Sequence, residues 1–341
     1  MLRVAGATTL RLLKVPSTRL YSAAQPQLHG DVAQLKRSYL YVPCSSDRML
    51  QKSVSTGADT IIYDLEDSVA PSEKDKSAAR GKLADFLASS PDAPDSSRIA
   101  VRLNDVTTPF FERDLDKALR LLRIPGTLVL PKVHSPDYLD RVAYIVDSVA
   151  GSLDSPLRLV ASIESARSLY NIGSIAGWRD RSGKSRIAAL LFAAEDYCAD
   201  TGIIRTHERT ELLYTRSQVV VTAKAFGLEA IDMVCVNYKD PEYLKEECED
   251  GRRLGFTGKQ AIHPIQVDTI HRTFAPSEKE VYRAAKIVHQ MAQAHASEKG
   301  AIGLDLGDGK DGKEMVDAPM LKQAENTLKV ARAAGIPIPE F

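Results

Sequence analysis

Eight short segments rich in Ile, Val and Leu punctuate this chain, and each gives way to a longer stretch of helical character. They are RSYLYVP (37–43), TIIYDLED (60–67), RIAVRLN (98–104), GTLVLPKV (126–133), LRLVASIES (157–165), RIAALLFAAED (186–196), AIDMVCVN (230–237) and GFTGKQAIHP (255–264). Continuous apolar character, rather than strict alternation, suits parallel strands covered on both faces. Parallel neighbours need crossover connections, and intervening segments such as 47–57 and 212–227 are long enough to supply helices. The second ends at Gly227, which reads as a helix stop. Eight units in series predict a closed (β/α)8 barrel, the TIM-barrel architecture of the α/β class. No G-x-G-x-x-G follows the first segment to favour an open dinucleotide-binding sheet.

The barrel is expected to close near His263 and to carry a C-terminal helical extension. Ser277 and Glu280 stand at capping-box spacing and open a predicted helix over 277–297. A Gly- and Asp-rich loop over 300–319 follows, then a last helix over about 319–334. Acids between 305 and 312 miss the spacing of a calcium loop, so calcium is not expected there. Pro94 and its neighbours read as a surface linker.

Ahead of the barrel, Arg3, Arg11, Lys14 and Arg19 lie among Ser, Thr, Leu and Val with no acid before Asp31. That is the composition of an amphipathic mitochondrial transit peptide, with cleavage expected after Tyr21. The chain therefore divides into a leader over 1–30, a barrel over 31–275 and an extension over 276–341. At 341 residues, with 45 basic against 45 acidic side chains, it has no bulk field to favour nucleic acid or an anionic membrane. Any basic binding site must be local. Cys44, Cys198, Cys235 and Cys248 form no C-x-x-C pair, which argues against structural zinc and a disulfide framework and for a reducing compartment.

Barrels of this kind build their sites at the carboxyl ends of the strands. Here those ends carry Glu66 and Asp67, Arg102 and Asn104, Lys132, Glu164, Glu195 and Asp196, and Gln260 with His263. So many carboxylates at one mouth suggest a hard cation. Mg²⁺ takes one or two carboxylates and keeps its other positions for water and substrate, and Glu164 and Asp196 on adjacent strands fit that need. The competing reading makes these acids buried partners of Arg102 and Lys132. Zinc is disfavoured, because no His or Cys lies at ligand spacing.

The motifs YVP (41–43), DLED (64–67), VRLN (101–104), LPKV (130–133), SIES (162–165), AAED (193–196), AKAFGLEAID (223–232), GFTGKQAIHP (255–264) and VDAPMLKQAENT (316–327) occur in register. Together they resemble the citrate lyase β-subunit-like branch of the HpcH/HpaI aldolase and citrate lyase superfamily, over about 37–327. Within it the likeness is greatest to the mitochondrial enzymes that cleave citramalyl-CoA to acetyl-CoA and pyruvate. The resemblance implies a carbon–carbon lyase with Mg²⁺ on Glu164 and Asp196 and with Arg102 on a substrate oxygen. It places Tyr41, Arg48, Lys52, Ile262 and His263 against the acyl-CoA. It makes Asp317 the catalytic carboxylate, reaching a neighbouring subunit of a homotrimer through the C-terminal segment.

Glu66, Asp67 and Lys132 are read as supports for these groups, and Lys132 as an ion-paired ammonium rather than a Schiff-base nucleophile. Other readings accompany several residues. Asp317 precedes Pro319 at a helix start, where it could act as an N-cap. His263 could be a packed loop histidine, and Arg48 with Lys52 a solvated helix face. The family commonly has Gly after YVP, whereas Cys44 follows here; a side chain there is expected to tighten the turn or alter the CoA contacts. Malyl-CoA or β-methylmalyl-CoA cleavage, or malate synthase-like condensation, needs the same groups. A non-catalytic CoA-binding or assembly subunit is the alternative from another class.

Overall fold

The computed structural model describes residues 35–149, 155–297, 300–304 and 314–341. The expected transit peptide and the acidic stretch 305–313 lie outside the described residues. Eight parallel strands run in chain order: β1 (Ser38–Pro43), β2 (Thr60–Asp64), β3 (Ile99–Arg102), β4 (Thr127–Leu130), β5 (Leu157–Ile163), β6 (Ser185–Phe192), β7 (Glu229–Asp232) and β8 (Gly258–Ala261). Each pairs with the next, and β8 pairs with β1, so the sheet is the closed barrel expected from the sequence.

The crossovers are helical: α1 (Asp47–Ser53), α2 (Glu73–Ser89), α3 (Phe111–Leu119), α4 (Pro136–Val149), α5 (Ala166–Tyr170), α6 (Ile172–Ala176), α7 (Ala194–Thr201), α8 (Leu213–Ala225) and α9 (Pro241–Leu254). After β8 come α10 (Val267–Thr273), α11 (Glu278–Ala296), two short strands β9 (Ile302–Leu304) and β10 (Glu314–Val316), and α12 (Ala318–Ala333). Among the described residues no helix is long and apolar enough to cross a membrane.

Strand alternation sorts the apolar residues into two cores. Tyr39, Ile62, Ala100, Val129, Val160, Ala189, Leu191 and Ile231 point inward and fill the barrel. Their neighbours Leu40, Ile61, Val101, Leu128, Leu159 and Leu190 point outward and pack with the helices. Burial on both faces explains why the strands read as unbroken hydrophobic runs. Each fully buried Leu or Ile contributes about 1.5–3 kcal/mol relative to exposure. Gly227 closes α8 as expected: its φ is +68°, and Leu228 N–H returns to Ala223 O at 2.8 Å.

Two expectations change. The sixth apolar segment does not stay extended through Asp196: β6 stops at Phe192, and Glu195 and Asp196 lie in the first turn of α7. Acids are favoured there, where unpaired N–H groups carry partial positive charge. The expected loop over 300–319 also contains structure, because β9 and β10 pair antiparallel. Val316 is fully buried between α11 and α12, which anchors the returning strand. Those helices form a small core of their own around Ile287, Met291 and Leu328, opened by the Ser277–Glu280 capping box.

Candidate active site

A cavity of about 370 Å³ opens at the carboxyl ends of the strands, lined by Tyr41, Asp64, Asp67, Arg102, Ser162, Glu164, Glu195, Asp196, Gln260 and Ile262 among others. Strand alternation puts most of these groups here. Tyr41 follows Tyr39, Asp64 follows Ile62, Arg102 follows Ala100, and Ser162 and Glu164 follow Val160, each at a two-residue step on the inward face. The mouth is thus a polar layer set directly on the apolar plug. Gln260 seals the junction, donating from Nε2 to Phe192 O (2.9 Å) and Asp232 O (3.0 Å) and accepting from Tyr41 Oη (3.0 Å).

Glu164 sits just beyond β5, with Ser165 capping α5 behind it. Its carboxylate accepts from Ser162 Oγ at 3.1 Å and from the backbone N–H of Lys132. Burial raises its carboxyl, and Asp196 and Glu66 add repulsion, so it is pushed up to about 7. Asp196 is raised by burial and by Asp67. The mouth cations do not neutralise this pair, because other acids already hold them. Arg102 forms a bidentate pair with Asp64, 2.7 Å on each arm, and reaches Glu66 at 2.9 Å and Asp67 at 3.2 Å. Lys132 Nζ is engaged with Glu66 at 3.0 Å. Two carboxylates that face one cavity with no salt-bridge partner among the described residues are a donor set suited to a hard divalent cation.

Lys132 is ion-paired with Glu66, and its backbone adds a feature. Its φ of +51° is left-handed, a conformation that costs an L-residue roughly 1–2 kcal/mol. In this conformation its N–H meets Glu164 while its ammonium meets Glu66. Lys132→Val is therefore expected to be less stable than Lys132→Gly by about 1–2 kcal/mol in urea unfolding; equal stabilities would mean that the backbone stores no strain.

Asp64 was not singled out by strand-end reasoning, although the alternation 60, 62, 64 points it inward. Burial raises its carboxyl, but Arg102 outweighs that and holds it below the usual range. Arg102 also lies over the Tyr41 ring, 4.9 Å from its centroid, and is thereby oriented from both sides. Asn104 turns away from the mouth and bonds Asp114 and Leu65 O. Glu195 lines the cavity but is tied to Arg205, which also grips Glu247 at 2.7 Å.

Of the remaining candidates, one shares the cavity of the acid pair. Ile262 lines the cavity, whereas Arg48 and Lys52 are on the exposed face of α1. His263 stacks on Tyr238 at 4.9 Å, and its Nδ1 accepts from Ile265 N–H at 3.2 Å. Cys44 is fully buried in the main core with its thiol pushed up by burial, so it fills space beneath the turn rather than crowding the mouth. Asp317 caps α12, accepting from Met320 N–H at 3.3 Å, and is not among the described residues lining the cavity.

The fold and this mouth define an α/β-barrel protein with an acidic site at its carboxyl end. Residues 37–264 match the HpcH/HpaI aldolase/citrate lyase family, and the chain belongs to it. The human mitochondrial citramalyl-CoA lyase is 31% identical over 303 residues, covering 87% of this chain and 85% of that protein. The citrate lyase subunit beta of Leuconostoc mesenteroides is 31% identical over 88% of this chain and 94% of its own. Among solved structures, CitE of Mycobacterium tuberculosis in complex with magnesium, acetoacetate and coenzyme A superposes with a TM-score of 0.69. It has 28% identity and covers 89% of this chain and 100% of that one.

Proposed function

We propose that this protein is a Mg²⁺-dependent carbon–carbon lyase that cleaves a short 3-hydroxyacyl-CoA, with citramalyl-CoA as its substrate. One arrangement carries the reading: Glu164 and Asp196 share a cavity with an immobilised Arg102 at the carboxyl end of the barrel. Membership of a lyase family and relatives named for CoA esters support it. Bound there, Mg²⁺ would supply Lewis-acid polarisation and orient the hydroxyl and carboxylate of the departing oxo acid.

Cleavage between C2 and C3 takes the hydroxyl proton, leaves the carbonyl of pyruvate, and returns one proton to the acetyl-CoA carbanion. Arg102 stabilises negative charge as it grows on oxygen, and Asp64 and Tyr41 keep it aimed. Tyr41 and Ile262 meet the acyl arm, with Arg48, Lys52 and His263 toward the phosphates. Asp317 delivers the final proton, or removes it in condensation. Asp317 caps α12 and is not among the described residues lining this cavity, and in this reading it serves a neighbouring copy in a homotrimer of the mitochondrial matrix.

The test is a panel of citramalyl-, malyl- and β-methylmalyl-CoA, with and without EDTA. Acetyl-CoA is expected from citramalyl-CoA in Mg²⁺ alone; turnover that survives EDTA, or none on any thioester, overturns the reading, the latter in favour of a CoA-binding subunit. One methyl group changes binding by only about 1–3 kcal/mol, so the panel must be read as ratios of kcat/KM. Asp317→Ala is expected to lower turnover about 10²-fold or more with CoA binding intact. Co-expressed with a Glu164→Gln subunit it should recover part of that activity; no recovery places Asp317 in cis or returns it to capping alone.

A further inference from the structure

The opposite, amino end of the barrel holds a second polar layer that the chemistry above does not use. Thr60, Thr127, Arg158 and Glu229 stand one inward step below Ile62, Val129, Val160 and Ile231, so they form the barrel floor. Glu229 is well supplied: Arg158 Nη2 donates to both its oxygens at 2.9 Å, and Tyr39 Oη donates at 2.7 Å. The other floor groups are not. Thr60 Oγ1, Thr127 Oγ1 and Arg158 Nε are buried with no hydrogen-bond partner among the described residues. Thr60 and Thr127 are at most 2% exposed. Orphaned buried polar atoms are rare and call for a partner.

Charge accumulates around the same place. In register, Arg158 lies between Thr127 of β4 and Arg186 of β6. Lys36 enters from the segment before β1, whose backbone packs so close to Gly258 that a Cβ there would come within 2.7 Å of Lys36 O. Its ammonium donates to Ser97 O at 2.8 Å and has no carboxylate within ion-pair distance among the described residues. Asp59, the other acid that acts on Lys36, is engaged by Arg37 at 2.9 Å and lies 3.3 Å from His271. Three cations thus share one carboxylate. Their crowding is felt: burial, and then Arg158, push Lys36 down to about 8, and the same two causes lower Arg186.

We propose that the barrel floor binds a small oxyanion of the phosphate or sulfate class, held by Lys36, Arg158 and Arg186 with the hydroxyl of Thr127. The anion ties the segment before β1 to β5 and β6 and stabilises the closed barrel, at the end opposite the acid pair. The site needs no part of the proposed reaction.

Thermal unfolding of the full chain in inorganic phosphate, against sodium chloride at matched ionic strength, tests it. A saturable rise in Tm is expected with phosphate, since a ligand of the folded state stabilises by mass action. Lys36→Gln and Arg186→Gln, at the half-exposed and exposed rim, should each fold and shift half-saturation upward by about 10-fold. Lys245→Gln, on the exposed face of α9, should leave the response unchanged. No saturable gain in the wild type would mean that the floor hydroxyls hold water only, and overturns the proposal. So does an unaltered response in both floor variants, which would place the anion elsewhere on the protein.

Discussion

Glu164→Gln protein is expected to fold at least as stably as the wild type in EDTA while losing about 10³-fold or more of its Mg²⁺-dependent turnover. The two effects have one cause. Glu164 is buried beside Asp196 and Glu66, and the mouth cations are committed to Asp64, Glu66 and Asp67. A charged carboxylate there raises the free energy of the metal-free fold, and an amide of the same shape removes that repulsion. The Gln oxygen still accepts from Lys132 N–H, and its amide N–H donates to Ser162 Oγ, a hydroxyl that also accepts, so packing is preserved. Lost with the charge is a strong oxygen ligand for Mg²⁺, whose Lewis acidity is worth several kcal/mol in the transition state, or roughly three powers of ten in rate. Urea unfolding in EDTA and turnover across a Mg²⁺ titration check both halves. A variant that is destabilised by more than 2 kcal/mol and still turns over would make Glu164 a structural acid and move the metal elsewhere.

Lys259→Met is expected to be the most damaging single change to the barrel, at about 3–5 kcal/mol. Lys259 and Glu247 are both fully buried, 3.0 Å apart, and the ammonium also donates to Met233 O at 2.8 Å. Neither charge would be tolerated alone. Burial by itself would raise the Glu247 carboxyl, but Lys259 and Arg205 outweigh it and hold it at about 2. That value lies below the ordinary 4.5, so the pair's contribution is complete above about pH 4.5 and is lost as pH falls toward 2. Wild type should therefore lose stability steeply across that window, and Lys259→Met should start lower and fall less. Parallel curves for the two proteins between pH 5 and 3 would show that the pair is not the acid-labile element. The effect reaches the site through Arg205, which joins Glu247 to Glu195 beside Asp196. Some loss of metal affinity in Lys259→Met is expected for that reason.

Much of this is visible in residue order. Eight apolar runs separated by helix-length segments leave a chain little choice but a parallel barrel, because runs buried on both faces need crossovers to return them. Helix boundaries at Ser277 and Gly227 were equally legible, since capping box and left-handed glycine are local geometries. Positions of Glu164, Arg102 and Lys132 at strand ends follow from the fold class. What residue order could not rank was charge partnership. Asp64 and Glu66 look alike in DLED, yet Asp64 takes both arms of Arg102 while Glu66 bridges Arg102 and Lys132. Arg205, Glu247 and Lys259 come from three separate elements and carry no shared motif.

By itself, then, the sequence determined the barrel, its closure after the eighth strand, the inward parity of each strand and the local caps, because these depend on periodicity and on neighbours a few residues away. Only the tertiary structure decided which acids are neutralised and which are left facing the cavity, that Cys44 is core, that Asp317 caps α12, and that cations gather on the floor. Coulomb energy and desolvation depend on through-space distance and burial, and residues 38 or 66 positions apart in the chain meet only when the barrel closes.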